Sequence, residues 1–290
     1  MSLYSLVPHL RRPALAGAVS VLLALTAPSG SAQDHGHLDI GAASTNAGSP
    51  LVWPGTPYFT TSSGYVKTLV ATNAGKYAGY YQGNITLTVL PATPAYGGPV
   101  DGAPALGSLI FARLSLISAP PGGRFGFWDT NTTAATGPSI VLAAGETAAN
   151  LFRVTQESGL PGVDPFGHIH GRRFTATQPG FYQVAFQAVD LSTNGPGGGP
   201  IHAPSPVLPV WFQAGLSMHS AVPLPSSGGV RVRFGAPVGT SLQLEYTPTL
   251  GSTNWLPVGS VVTGQDYLVD ILHEGEAGAQ RYYRLRRILP

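Results

Sequence analysis

The sequence predicts an all-β protein: a large antiparallel β-sandwich or jelly-roll-like domain followed by a small β-sandwich. Three observations carry this. Only 10% of the residues are charged against 43% hydrophobic, a balance that leaves few charges for solvated helix faces. The 38 glycines and 27 prolines recur at short intervals, as turn residues between short strands do. Between them the pattern alternates with period two or runs through β-branched and aromatic residues, the signature of half-buried and buried strands.

Taken in order, the first segment reads as a secretory signal. His9, Arg11 and Arg12 precede an apolar run over 14–27, and Pro28, Ser29, Gly30, Ser31 and Ala32 supply a small-residue end. Cleavage is expected after Ala32. The run is shorter than the roughly 20 apolar residues that span a bilayer, so no membrane span is expected in the mature chain. The expected location is secreted or periplasmic, with association to the cell surface left open.

Residues 33–215 form the expected large domain, with strands at 65–72, 83–90, 108–118, 124–128, 139–142, 172–177, 180–190 and 207–213. Residues 146–157 carry a weak helical hint. The Pro/Gly/Ser-rich end of 216–229 reads as a linker. Renewed alternation over 230–290 predicts a small β domain, with strands at 230–234, 241–246, 258–263, 267–271 and 280–287.

Composition also excludes functions. A formal net charge of +2 with scattered Lys and Arg offers no basic stripe for nucleic acid. Without cysteine there is no disulfide, thiolate ligand or cysteine nucleophile. The glycines of 195–199 lack the Lys-Ser/Thr ending of a phosphate loop. No His-Glu-x-x-His helix or Gly-x-Ser-x-Gly elbow is present, so an enzyme is not expected.

The chemistry that remains is histidine. Four of the eight histidines form two His-x-His pairs, His35-Gly-His37 and His168-Ile-His170. In an extended strand, residues two apart share a face about 6 to 7 Å apart, so both imidazoles of a pair can reach one ion. Two pairs brought together would complete a tetrahedral zinc shell without cysteine. His202, after the glycine-rich stretch, is a fifth candidate ligand, and Asp39, Asp164 and Asp190 are carboxylates that could ligate or orient an imidazole. Zinc is the expected ion and copper its rival, since imidazole sites favour Cu(II) in the usual affinity order. Because the ligating imidazoles must be neutral, binding is expected to weaken at about pH 5 to 6.

Residues 77–87 (YAGYYQGNITL), 164–182 (DPFGHIHGRRFTATQPGFY) and 192–202 (STNGPGGGPIH) resemble a family of secreted bacterial proteins whose cyanobacterial members are repressed by the zinc-uptake regulator. The resemblance covers most of 35–215 and implies a role under zinc limitation. The stretch 167–182 is also similar to the repeat domain of actinobacterial surface-anchored proteins, which implies a cell-surface module. Residues 245–250, Asn254-Trp255 and 281–286 resemble a small fibronectin-like module. Many members of the zinc-regulated family end in a hydrophobic Pro-Glu-Pro sorting tail; residues 283–290 (YRLRRILP) do not match it, so anchoring by that route is not expected. Two functions follow: an exported protein that captures or buffers metal, or a structural or adhesion module whose recognition surface includes Trp53, Tyr58, Phe59, Tyr80, Tyr81 and Trp128, although most strand aromatics are expected in the core.

Overall fold

The computed structural model describes residues 37–55, 59, 63–224, 228–275 and 280–289. The expected signal, its cleavage point and His35 lie outside the described residues. The all-β expectation holds: the described chain is strand and turn, with only short 3-10 turns.

The first core is enclosed by β1 (His37–Ala42), β2 (Leu51–Val52), β3 (Lys67–Thr72), β4 (Tyr80–Gly83), β5 (Thr86–Val89), β6 (Ile110–Ser118), β7 (Phe125–Trp128), β8 (Ile140–Leu142), β9 (Phe152–Arg153), β10 (Gly167–Ile169), β11 (Arg173–Ala176), β12 (Gly180–Asp190) and β13 (Leu208–Ala214). They form a four-stranded sheet in the order β10-β5-β1-β2 and a nine-stranded sheet in the order β8-β7-β11-β4-β3-β13-β12-β6-β9. Alternation explains the packing: along β6 every second residue from Ile110 to Leu116 is buried, and the intervening ones are less so. Leu38 and Ile40 of the small sheet share one core with Phe125, Phe174, Phe186 and Phe212 of the large one. Phe125 meets Phe212 edge to face at 4.9 Å, and Phe127 stacks on Phe152 at 4.0 Å.

A second core lies among β14 (Met218–Leu224), β15 (Gly229–Gly235), β16 (Ser241–Thr247), β17 (Leu256–Thr263), β18 (Leu268–His273) and β19 (Tyr282–Ile288). Two three-stranded sheets, β14-β15-β18 and β17-β16-β19, bury Val232, Phe234, Leu242, Leu244 and Val258.

Two local expectations are corrected. The segment 216–229 is not a free linker: Met218–Leu224 is a strand paired antiparallel with β15. Its Pro223 is tolerated because β14 is an edge strand, where a missing N–H breaks no interior ladder. The helical hint at 146–157 gives way to irregular backbone with bends, a bridge at Thr147 and the two-residue β9.

Candidate metal centre

The outer face of the small sheet gathers the histidines by strand parity. Leu38 and Ile40 of β1 enter the core, which turns His37 and Asp39 outward. On β5 the same logic buries Leu87 and Val89 inward and turns Thr86 and Thr88 outward. On β10 Ile169 enters the core and His168 faces out.

Register then sets these residues side by side. Parallel pairing of β1 with β5 matches His37 to Thr86 and Asp39 to Thr88. Antiparallel pairing of β10 with β5 matches His168 to Thr88. The His37 and His168 rings stack with centroids 5.2 Å apart and planes at 28°. His168 and His170 meet edge to face at 4.2 Å. Two histidines distant in sequence from His37 thus share its surface.

Local contacts fix the position of His168. Its Nδ1 lies 2.9 Å from Thr88 Oγ1, a contact that orients the ring. Its backbone N–H donates to Gln156 Oε1 at 3.1 Å. Gly167 allows β10 this close approach, since a Cβ there would stand 2.0 Å from the carbonyl oxygen of Val154. Burial raises the pKa of Asp39 above the usual carboxylate value, and the nearby His168 opposes that rise.

His202 is corrected as a candidate ligand. It is buried, its Nε2 accepts from the Ala105 N–H at 2.9 Å, and its Nδ1 lies 3.1 Å from the carbonyl oxygen of Ser49. With both ring nitrogens engaged, no lone pair remains for an ion. Asp190 is likewise committed, accepting the N–H groups of Leu109, Ser192, Ile201 and His202. Asp164 accepts from the N–H groups of Ala92 and Phe166. His273 lies 2.9 Å from the Tyr283 hydroxyl through Nδ1, and His219 packs against Phe181 and Trp211.

Among the described residues, no set of three or more His, Asp or Glu is arranged to hold a metal as it stands. The stacked geometry gives the reason: an imidazole binds along its ring plane, and stacked rings do not aim their nitrogens at one point. Rotation about the side-chain torsions, with the backbone in place, is what ligation by His37, His168 and His170 requires. Thr86, Thr88 and Gln156 are parts of this surface that sequence reasoning missed. The Thr86/Thr88 alternation was visible, but its pairing with the histidine strands was not. No protein-family model matches the chain, and no curated protein matches it.

Proposed function

We propose that this is an exported metal-binding protein that captures or buffers zinc outside the cytoplasm, with His37, His168 and His170 as ligands and His35 as a further candidate. The observation that carries this reading is the ring contact of His37 with His168, and of His168 with His170. Thr88 at His168 Nδ1 supplies the kind of outer hydrogen bond that orients a ligating imidazole. Export rests on the charged, apolar and small-residue pattern of 1–32. Among the described residues no helix is long and apolar enough to cross a membrane.

The surface-module alternative loses part of its basis. Trp53, Phe59 and Trp128 are buried, so they do not form an exposed recognition surface. Tyr80 packs edge to face on Trp128, and Tyr58 lies outside the described residues.

The test is metal content by mass spectrometry of the untagged mature protein, beside the His168→Ala/His170→Ala variant and the His37→Ala variant. Near-stoichiometric zinc that is lost in both variants supports the reading. Copper in place of zinc, retained against a zinc excess, would reassign the ion. A wild-type protein that stays empty after incubation with either metal would leave the histidines without this role.

A further inference from the structure

We infer that the groove formed by β14 with β6, β12 and β13 binds a neutral glycan, with Phe181 and Trp211 receiving the face of one sugar ring and His219 and the flanking serines bonding its hydroxyls. This site lies apart from the histidine surface of the small sheet and does not rest on the metal-binding reading.

The aromatic wall follows from strand parity. Tyr182 and Phe212 enter the first core, so Phe181 of β12 and Trp211 of β13 stand on the opposite face of the large sheet, where both are partly exposed. Antiparallel pairing matches Phe181 to Gln213 and Gln183 to Trp211, which makes the two aromatics diagonal neighbours. Their rings meet edge to face at 6.3 Å. His219 completes the wall, edge to face with Phe181 at 4.9 Å and with Trp211 at 5.8 Å.

Two breaks in register flank this wall. On β14, Met218 pairs with Phe234 and Ser220 with Arg233, which leaves His219 as an extra residue. On β6, Ser118 pairs with Gln183 and Leu116 with Val184, which leaves Ile117 as an extra residue next to Ser118 in the groove lining. Such bulges re-aim side chains and recur beside functional sites. The groove encloses about 590 Å³, within the range of about 300 to 1,000 Å³ found for small-molecule clefts.

The chemistry of the lining sets the class of ligand. Ser118, Ser217 and Met218 join the three rings, and among the described residues no Lys, Arg, Asp or Glu lines the groove. Burial and then the nearby Arg233 hold the His219 pKa below the usual histidine value, against the opposing pull of Asp270. A neutral imidazole donates through one nitrogen and accepts through the other. Trp53 and Trp128 give their indole N–H groups to the Pro206 carbonyl and the Thr175 hydroxyl, whereas that of Trp211 has no such partner among the described residues. Neutral donors and acceptors beside aromatic faces match a ligand that is uncharged, rich in hydroxyls and flat on one side. A pyranose with all its ring substituents equatorial is such a ligand, since its apolar C–H face stacks on an aromatic ring while its rim hydrogen-bonds.

The experiment is isothermal titration calorimetry of the mature chain with cellotetraose and chitotetraose, two neutral β-1,4-linked probes, and with tetragalacturonate as an anionic one. Wild-type protein is expected to bind at least one neutral probe, with an affinity unchanged in about 1 M salt. Trp211→Ala should weaken that binding about tenfold or more, and Trp211→Phe should weaken it less, because an aromatic face remains. His219→Ala should weaken it about fivefold, the effect of one lost hydrogen bond. The His219 side chain is exposed, so this variant should keep the wild-type urea midpoint and carries the test even where Trp211→Ala does not fold.

Failure of both neutral probes to bind overturns the inference, as does wild-type affinity in His219→Ala together with Trp211→Phe. Preference for tetragalacturonate that vanishes in salt also overturns it, since charge rather than the sugar face would then be what the protein recognises.

Discussion

Lys67 Nζ and Asp266 Oδ2 lie 2.6 Å apart in a buried ion pair that ties the two cores together, with side chains only 6% and 8% exposed. Lys67 opens β3, and Asp266 sits in the turn between β17 and β18. The other carboxylate oxygen accepts from the Thr68 N–H at 3.1 Å and from the Thr68 hydroxyl. A buried charge left without its partner is expensive, so Lys67→Met should destabilise the protein by about 3 to 5 kcal/mol. Asp266→Asn tests the charge alone, because asparagine tolerates the positive φ of 57° at this position. Urea denaturation of both variants checks this; midpoints unchanged from wild type would mean the pair does not join the two cores energetically.

A second joint lies at Gln213 and Gly235. The Gln213 amide donates to the carbonyl oxygens of Gly215 and Gly235 and accepts from the Gly235 N–H at 2.8 Å. A Cβ on residue 235 would stand 2.3 Å from Gln213 Oε1 and 2.9 Å from Val66 Cγ1. Gly235→Ala should therefore cost about 1 to 3 kcal/mol through overpacking and broken bonds. Because the strain falls between the cores, calorimetry should show one thermal transition dividing into two. A single sharp transition at the wild-type temperature would contradict this.

Strands with unbroken alternation were legible, and β12 (Gly180–Asp190) has the bounds that its pattern gave. Short strands such as β2 and β9 offer only two residues each, too few for a period. Strand β14 was hidden because proline and serine read as linker unless its edge position is known. For the site, period two showed that His168 and His170 share a face. Their meeting with His37 depends on the parallel β1–β5 pairing, which no local pattern specifies. His202 misled because its glycine-rich approach was visible in sequence, whereas its bonds to Ala105 and Ser49 come from distant parts of the chain.

Gly167 connects fold and site. A Cβ there would stand 2.0 Å from the Val154 carbonyl oxygen and 2.8 Å from Thr155 Cα, so Gly167→Ala must push β10 away from its neighbours. The expected stability cost is about 1 to 3 kcal/mol. Zinc affinity should fall more than that of Thr88→Val, which loses only the hydrogen bond at His168 Nδ1. Competition with a chromogenic zinc chelator ranks the two, and wild-type affinity in Gly167→Ala would show that the site does not depend on how β10 is seated.

The small core should carry a modest acid sensitivity of its own. Arg233 donates two hydrogen bonds to Asp270, at 2.9 and 2.7 Å, and these hold the Asp270 carboxyl below the usual carboxylate value. A carboxyl whose pKa is lower in the folded state contributes stability above its unfolded value, about 3.9, and loses that contribution as pH falls through the folded value. The two side chains are 38% and 45% exposed, so screening limits the pair to about 0.2 to 1 kcal/mol. Asp270→Asn should therefore be slightly less stable than wild type at pH 7, and the gap should shrink as pH falls below the unfolded value of about 3.9 and also shrink in about 1 M salt. Urea midpoints for both proteins across pH and salt check this; a gap that persists unchanged in acid would show that packing at residue 270, rather than its charge, sets the difference.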